Sequence, residues 1–445
     1  MSETEVKIKN NTNNTKNNTD NTNEQVRIRR NNANLYPIYK MFSWDLLCFY
    51  SIEFLFYTLT KQVTASEILL AVACYVIAKI ILQIPSVVII DNLGRRKGII
   101  IGNILLVTYM LVLMCIPGLT GLILANILCA FGYDIKSIAE PNLLYDSVST
   151  KGGQGLYAKL ETKGGSWYYY LNAVTCLSAG YLFVINSYLP LLVCLLFLVI
   201  STIISLKFEE LYPVEKNENI KMKNIIKEYT EDLKVSVKFI IKSNRMKAFI
   251  LFGAIFYGIT SIMTTYQSDL LINKGVAEEE FSTIFALLSL LAAVSVTLSK
   301  KVQKKFRNKT LTFLSVSYVC AIFIIGVVST LFTDSTSIPI ILIMFAVLRI
   351  CSAIWNVTKV KYLKNFNTEK TQNRIMFTYE FINGIVASII SIIGSIILDN
   401  TDINKAFIYI GIASIIVILL VLMYMKPRFG LKPSEYKKED IKFEI

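Results

Sequence analysis

Apolar stretches about twenty residues long recur along this chain, each closed by charge, and nothing else in the sequence restricts its folding so strongly. A bilayer core about 30 Å thick is crossed by roughly 20 helical residues. Twelve stretches of that kind lie near 37–60, 66–90, 98–117, 119–145, 165–186, 187–206, 246–268, 281–299, 309–332, 336–358, 373–397 and 405–425. In hydrocarbon the backbone must satisfy its own hydrogen bonds, which leaves helix as the local structure. The expectation is an all-α membrane protein with twelve transmembrane helices. Its 445 residues are 54% hydrophobic and only 18% charged, which a water-soluble domain does not match.

Loop charge gives an independent test, because Lys and Arg collect on the cytoplasmic side of short loops. With a cytoplasmic N-terminus, the inner segments hold Arg27, Arg29, Arg30 and Lys40, then Arg95 to Lys97, then Lys151, Lys159 and Lys163. They continue with the lysine-rich stretch 207–247, Lys300 to Lys309, Lys359 to Arg374 and the tail from Lys426. The outer loops offer only Lys61, Lys274 and Lys405. Both termini are thus expected inside, and the net charge of +14 reflects topology. Spread over alternate loops, the charge forms no single stripe, so nucleic acid is not expected as a partner.

Residues 1–34 are rich in Asn, Thr and Lys, have little to bury, and are expected to be a disordered cytoplasmic tail. Residues 35–206 and 246–426 each hold six spans. Between them, 207–245 is too charged to cross, and its later part repeats apolar residues at helical spacing, as an amphipathic linker on the inner membrane surface does. Residues 427–445 form a second cytoplasmic tail. All eight cysteines fall inside spans with no C-x-x-C pair, there is no histidine, and no phosphate-binding GxxxxGK[ST] loop occurs. Those observations argue against an enzyme, a bound metal and an organic cofactor. Two pseudo-symmetric six-helix lobes are suggested by "DNLGRRK", Asp91 to Lys97, and its echo "QKKFRNK", Gln303 to Lys309, each following the second span of its half.

The loop after span two carries Asp91, Gly94, Arg95 and Arg96, which resembles the G-x-x-x-D-x-x-G-[RK]-[RK] signature of the major facilitator superfamily. Upstream, "QIPSVVIIDNLGRRK" resembles the "EIPTGxxADxxGRKK" of bacterial efflux-type members, with Gln83 for Glu and Val87 for the signature glycine. "SIAEPNLLYDSV", Ser137 to Val148, is similar to the "SGxxxALxYDSL" closing span four, and "NRIMFTYE" to the "RATxxS" opening span eleven. The resemblance implies a bacterial plasma-membrane transporter, acting as a monomer, whose spans one, four, seven and ten line a central cavity. It also implies a conformational gate, in which Asp91, paired with Arg95 and with Asp146 as a second acceptor, faces span eleven of the other lobe.

Charges inside spans are costly and so informative. They are Asp45 and Glu53 in span one, Lys79 in span two, Asp134, Lys136 and Glu140 in span four, Arg349 in span ten and Glu380 in span eleven. The acids outnumber the bases, and a desolvated carboxylate without a partner can exchange a proton near neutral pH. Glu53 and Asp134, nearest mid-membrane, are the first candidates for proton coupling, followed by Asp45 and Glu380. Asp45, about one turn and a half from Lys40, can alternatively snorkel toward the inner interface. Lys136 and Glu140, four apart on one helix face, suit either an internal ion pair or the cavity. Lys79, Tyr257, Arg349 and Trp355 complete the candidate cavity wall, with Tyr50, Tyr57, Tyr133 and Tyr266 as further aromatic candidates.

Three functions fit. The first is proton-coupled export of small amphipathic or cationic molecules, and the second proton-coupled uptake of a nutrient or peptide, its anionic group bound by Lys79, Lys136 or Arg349. The third is a non-transporting membrane sensor or partner-binding protein on a transporter fold. The partners expected are a small-molecule substrate, protons and lipid.

Overall fold

The computed structural model describes residues 3–148, 153–211, 222–306, 309–332, 335–365 and 372–429, and among them there is no strand. The first half of the chain forms α1 (Glu3–Ser43), α2 (Glu53–Leu55), α3 (Ala65–Leu93), α4 (Arg95–Cys115), α5 (Gly118–Val148), α6 (Gly153–Ile185) and α7 (Leu189–Ser205). A helix α8 (Met222–Lys242) follows, then α9 (Asn244–Asn273), α10 (Glu278–Phe306), α11 (Thr310–Leu331), α12 (Ile338–Asn365), α13 (Gln372–Asn400) and α14 (Ile403–Phe429). Among the described residues, ten helices are long and apolar enough to cross a membrane, and α7 is a shorter apolar helix. Span one, the twelfth, is broken. Its helix stops at Ser43, residues 44–52 are irregular with Cys48 at φ 67°, and helix resumes at Glu53, continuing through a π turn, Phe56–Thr60.

Local chemistry sets the helix ends. Thr64 and Glu67 form a reciprocal box at the start of α3: the Glu67 N–H donates to Thr64 Oγ1 and the Thr64 N–H to the Glu67 carboxylate, at 3.3 and 2.8 Å. Between α3 and α4 the chain turns at Gly94, whose φ of 89° suits glycine alone. Two of the bases expected in outer loops have matching tasks. The Lys61 ammonium donates to the carbonyls of Met114 and Ile116 where α4 ends, and that of Lys274 to those of Ser329 and Phe332 where α11 ends. A cation on terminal carbonyls satisfies acceptors the helix leaves open. The same device at the same place in each half is independent structural evidence of an internal repeat.

Within the halves α4 packs on α5 and α7, and α11 on α12 and α14, while α3 against α13 and α6 against α10 join the two lobes. Call the end of the bundle that holds α8 the α8 end, and the other the far end. At the far end the Gly180 N–H donates to Ser282 Oγ at 3.1 Å, and a Cβ on Gly180 would sit 3.0 Å from the Glu279 carbonyl oxygen. Gly180→Val is therefore expected to wedge the lobes apart there. An overpacked contact costs about 1–3 kcal/mol, so turnover should fall by roughly an order of magnitude while folded protein is retained. Solute flux at the parental rate would show that closure does not need this contact.

Linker helix α8 packs against α9, α13 and α3, burying Phe239 and Ile240 and exposing Lys234, Lys238 and Lys242. The tail differs from expectation. Helix α1 begins at Glu3, and the end of the segment expected to be disordered is tied down. Asn32 Nδ2 donates to the Glu209 carbonyl while the Glu209 N–H donates back to Asn32 Oδ1, at 2.8 and 3.0 Å, and Arg27 pairs with the Glu209 carboxylate at 3.0 Å. An asparagine amide offers donor and acceptor together, so it can satisfy the backbone leaving α7 where an apolar residue cannot.

Candidate functional site

Between the lobes lies a cavity of about 420 Å³, lined from both halves of the chain. The broken span one contributes Asp45, Tyr50, Ser51, Glu53 and Tyr57, and α5 and α6 add Asn126 and Asn172. The second lobe contributes Ser261, Thr264, Thr265 and Ser268 of α9, Phe285 and Ser289 of α10, and Arg349 of α12. Irregular backbone at membrane depth is tolerated where it faces a polar cavity, which is where residues 44–52 run.

The break is built by residues from α5. The Lys136 ammonium donates to the carbonyl of Ser43, the last residue of α1, at 3.0 Å, placing a cation at the negative end of that helix. One turn along α5, Glu140 accepts from Lys40 at 2.6 Å, from Tyr39 OH at 2.7 Å and from Ser43 Oγ at 3.3 Å, with Lys136 at 3.6 Å. Lys40 also lies 3.9 Å from Glu161 of α6, to which Tyr36 OH donates at 2.7 Å. The Lys136 and Glu140 side chains are each 4% exposed. Two lysines and two glutamates thus balance one another and clamp α1, α5 and α6. This arrangement takes Lys136 and Glu140 out of the cavity wall and favours the ion-pair reading of the two, with the Lys40 ammonium committed to Glu140.

Past the clamp, Asp45 turns toward the cavity. Its Oδ1 accepts from Tyr133 OH at 2.7 Å and from the Leu46 N–H at 3.0 Å. Glu53, at the first turn of α2, accepts from Tyr57 OH at 2.9 Å. Asp134 is buried on α5 outside this cavity lining, with Oδ2 lacking a hydrogen-bond partner among the described residues and the Lys79 charge acting on it from α3. Glu380 pairs with Lys359 at 3.6 Å, and the Lys359 ammonium lies over the rings of Tyr257 and Tyr379. Trp355 is packed among Phe249, Phe252 and Phe256. Lys79, Tyr257 and Trp355 therefore do not line the cavity. Of the charged candidates, Asp45, Glu53 and Arg349 are the ones that do.

At the α8 end, Arg95 contacts the Asp146 carboxylate. The N–H groups of Arg95 and Arg96, at the start of α4, donate to the Glu210 carboxylate at 3.3 and 2.8 Å, and Arg96 reaches the Leu206 carbonyl at 2.9 Å. Sequence reasoning passed over Glu210. The signal was the acidic pair Glu209 and Glu210 opening an otherwise basic linker, since a carboxylate suits a helix N-terminus.

A family model for the Major Facilitator Superfamily matches residues 41–336 and 275–444. Solved structures share the fold at low identity. The nucleoside transporter NupG aligns with a TM-score of 0.66 at 10% identity, covering 90% of this chain and 99% of that one. A POT family transporter in complex with a thioalcohol conjugated peptide aligns at 0.65 and 14%, covering 91% and 96%. The peptide transporter POT in complex with sulfate aligns at 0.63 and 13%, covering 92% and 95%. No curated protein matches the sequence.

Proposed function

The chain belongs to the Major Facilitator Superfamily, whose members here are transporters and not enzymes, and we propose that it moves a small polar solute across the membrane by alternating access, coupled to protons. The observation that carries this reading is the cavity itself. It lies between two lobes joined through α3 with α13 and α6 with α10, and it holds two carboxylates on one wall and a guanidinium on the other. Glu53 is the coupling carboxylate, with Asp134 as a second proton site behind the wall.

Export of amphipathic cations, the first expectation from sequence, suits this lining less well. A guanidinium repels a cation, and the serines and threonines of α9 place hydrogen-bonding groups among the apolar side chains of Phe54, Ile68, Val72, Leu122 and Phe281, which suits a polar solute with a small apolar part. When proton and solute occupy the cavity together, coupling is symport and an inward proton gradient drives uptake, whereas mutual exclusion at one carboxylate would give antiport; separate carboxylates, Glu53 for the proton and Asp45 for the solute, favour the first. In this reading the α8 end and the N-terminus face the cytoplasm, as the loop charges require. Protein in vesicles acidified outside should accumulate a polar solute from a broad panel and admit protons only with it. Proton entry that no solute alters would sink the proposal.

The gate belongs to the same proposal. Arg95 and Arg96 fix the α3–α4 turn to α5 and to the α7 exit, which braces the end of α3 that carries Asp91, and the gate contact of Asp91 is with α13, the helix of the other lobe that packs on α3. Asp91→Asn keeps the shape and removes the charge, so folded yield should stay near parental while turnover falls by about tenfold, the effect expected for a lost charge-assisted contact. Equal turnover in mutant and parent would remove Asp91 from the gate.

A further inference from the structure

The solute's own charges can be read from the cavity, on the footing that the protein is the transporter proposed above. Arg349 lies mid-way along α12 with its guanidinium carbon 5.7 Å from the centre of the Phe285 ring. Its Nε is buried without a hydrogen-bond partner, and no carboxylate pairs with the side chain among the described residues. A guanidinium at membrane depth is costly unless an anion meets it. Its planar fork is shaped for a carboxylate, and the Phe285 face leaves the edge of the fork free to donate. The missing anion therefore comes from outside the chain.

The opposite wall has the reverse need. Asp45 and Glu53 lie on the same side of one cavity, and two carboxylates in a low-dielectric space repel unless a cation or a proton enters. Asp45 is held in place by Tyr133 OH and the Leu46 N–H, whereas Glu53 has the single hydroxyl of Tyr57 on its own helix turn. A purely cationic solute would leave Arg349 unmet, and a purely anionic one would leave Asp45 unmet. We infer that the transported solute is a small zwitterion, its carboxylate docking on Arg349 and its ammonium on Asp45 across the lobe interface, with Glu53 left to carry the proton. The charges then close: two acids, one base and one proton sum to zero, and a zwitterion adds nothing. At about 420 Å³ the cavity is of the size that encloses a small molecule.

Matched probes test the assignment in vesicles containing the full chain. Phenylalanine, dialanine and 4-aminobutyrate are each compared with the carboxyl-amidated form, a cation, and the N-acetylated form, an anion, with tetraphenylphosphonium as a separate lipophilic cation. In at least one set the zwitterion should exchange about ten times faster than both derivatives, the factor expected for one lost charged hydrogen bond. Arg349→Gln should erase the preference over the amide, Arg349→Lys should retain part of it, and Asp45→Asn should erase the preference over the acetylated form. Exchange of tetraphenylphosphonium or the amides in preference to every zwitterion overturns the inference and leaves the transporter standing. A preference that survives Arg349→Gln also overturns it. Exchange of no probe by folded protein overturns the transporter reading and the inference together.

Discussion

Glu140→Gln is expected to cost the first lobe about 3–5 kcal/mol, the range for removing one partner from a buried ion pair. The substitution keeps the shape, and the amide oxygen can still accept from Tyr39. What it removes is the one negative charge between Lys40 and Lys136, whose ammonium groups lie 2.6 and 3.6 Å from the carboxylate. Glu161, 3.9 Å from Lys40, compensates that lysine in part and Lys136 not at all. Lys136 would then be a buried cation with the Ser43 carbonyl, the rings of Tyr39 and Tyr133 and the more distant Asp45 carboxylate, and no ion pair among the described residues. Folded yield and melting temperature in detergent should both drop sharply. Lys136→Met, which leaves Lys40 and Glu140 paired, should be the milder change. A Glu140→Gln protein that melts with the parent would mean that the clamp adds nothing to stability.

The clamp also shows where sequence reading stops. Lys136 and Glu140 could be paired from their spacing alone, because four residues bring them to one helix face. Lys40 and Glu161 could not, since they reach the same carboxylate cluster from α1 and α6, and only the tertiary packing of three helices brings them together. Similarly, the break in span one leaves no trace in hydropathy. It depends on Lys136 holding the Ser43 carbonyl and on Tyr133 holding Asp45, both from α5. The spans themselves were legible because apolar length and loop charge are properties of the chain in one dimension. The pairing of Glu380, a coupling candidate, is invisible in sequence for a simpler reason: α12 extends through Lys359, a residue that the charge pattern places in a loop.

Depth in the membrane is readable from sequence, but the direction of a side chain around its helix is not. Arg349 and Trp355 both sit on α12, and both looked suited to the cavity. One lines it, and the other is buried among the phenylalanines of α9. Arg349 is therefore the residue through which α12 meets the solute, and Trp355 serves the cohesion of the second lobe. That division puts the one charge of α12 that meets the cavity on the face turned toward the first lobe and leaves aromatic packing behind it, which suits a rocking motion about a fixed site.

Coupling can be separated from structure by neutralising the two acids outside the clamp. Glu53→Gln should abolish accumulation driven by a pH gradient, leaving solute exchange without a gradient near the parental rate. The amide mimics the protonated acid and still accepts from Tyr57, so the lobes can move with solute but no proton can leave. Asp134→Asn should act in the same direction if the proton passes behind the wall, since its Oδ2 has no partner among the described residues to lose. Neither change strands a cation in the way Glu140→Gln does: Glu53 has no ion pair among the described residues, and Lys79, whose charge acts on Asp134, is exposed. Both variants should therefore stay folded, and measuring melting and exchange on the same preparations distinguishes a lost proton site from a lost fold. Folded Glu53→Gln protein that still concentrates solute against its gradient would take Glu53 out of the mechanism. If Asp134→Asn then fails where Glu53→Gln succeeds, the proton travels along α5, and the cavity carboxylates are left to bind solute alone.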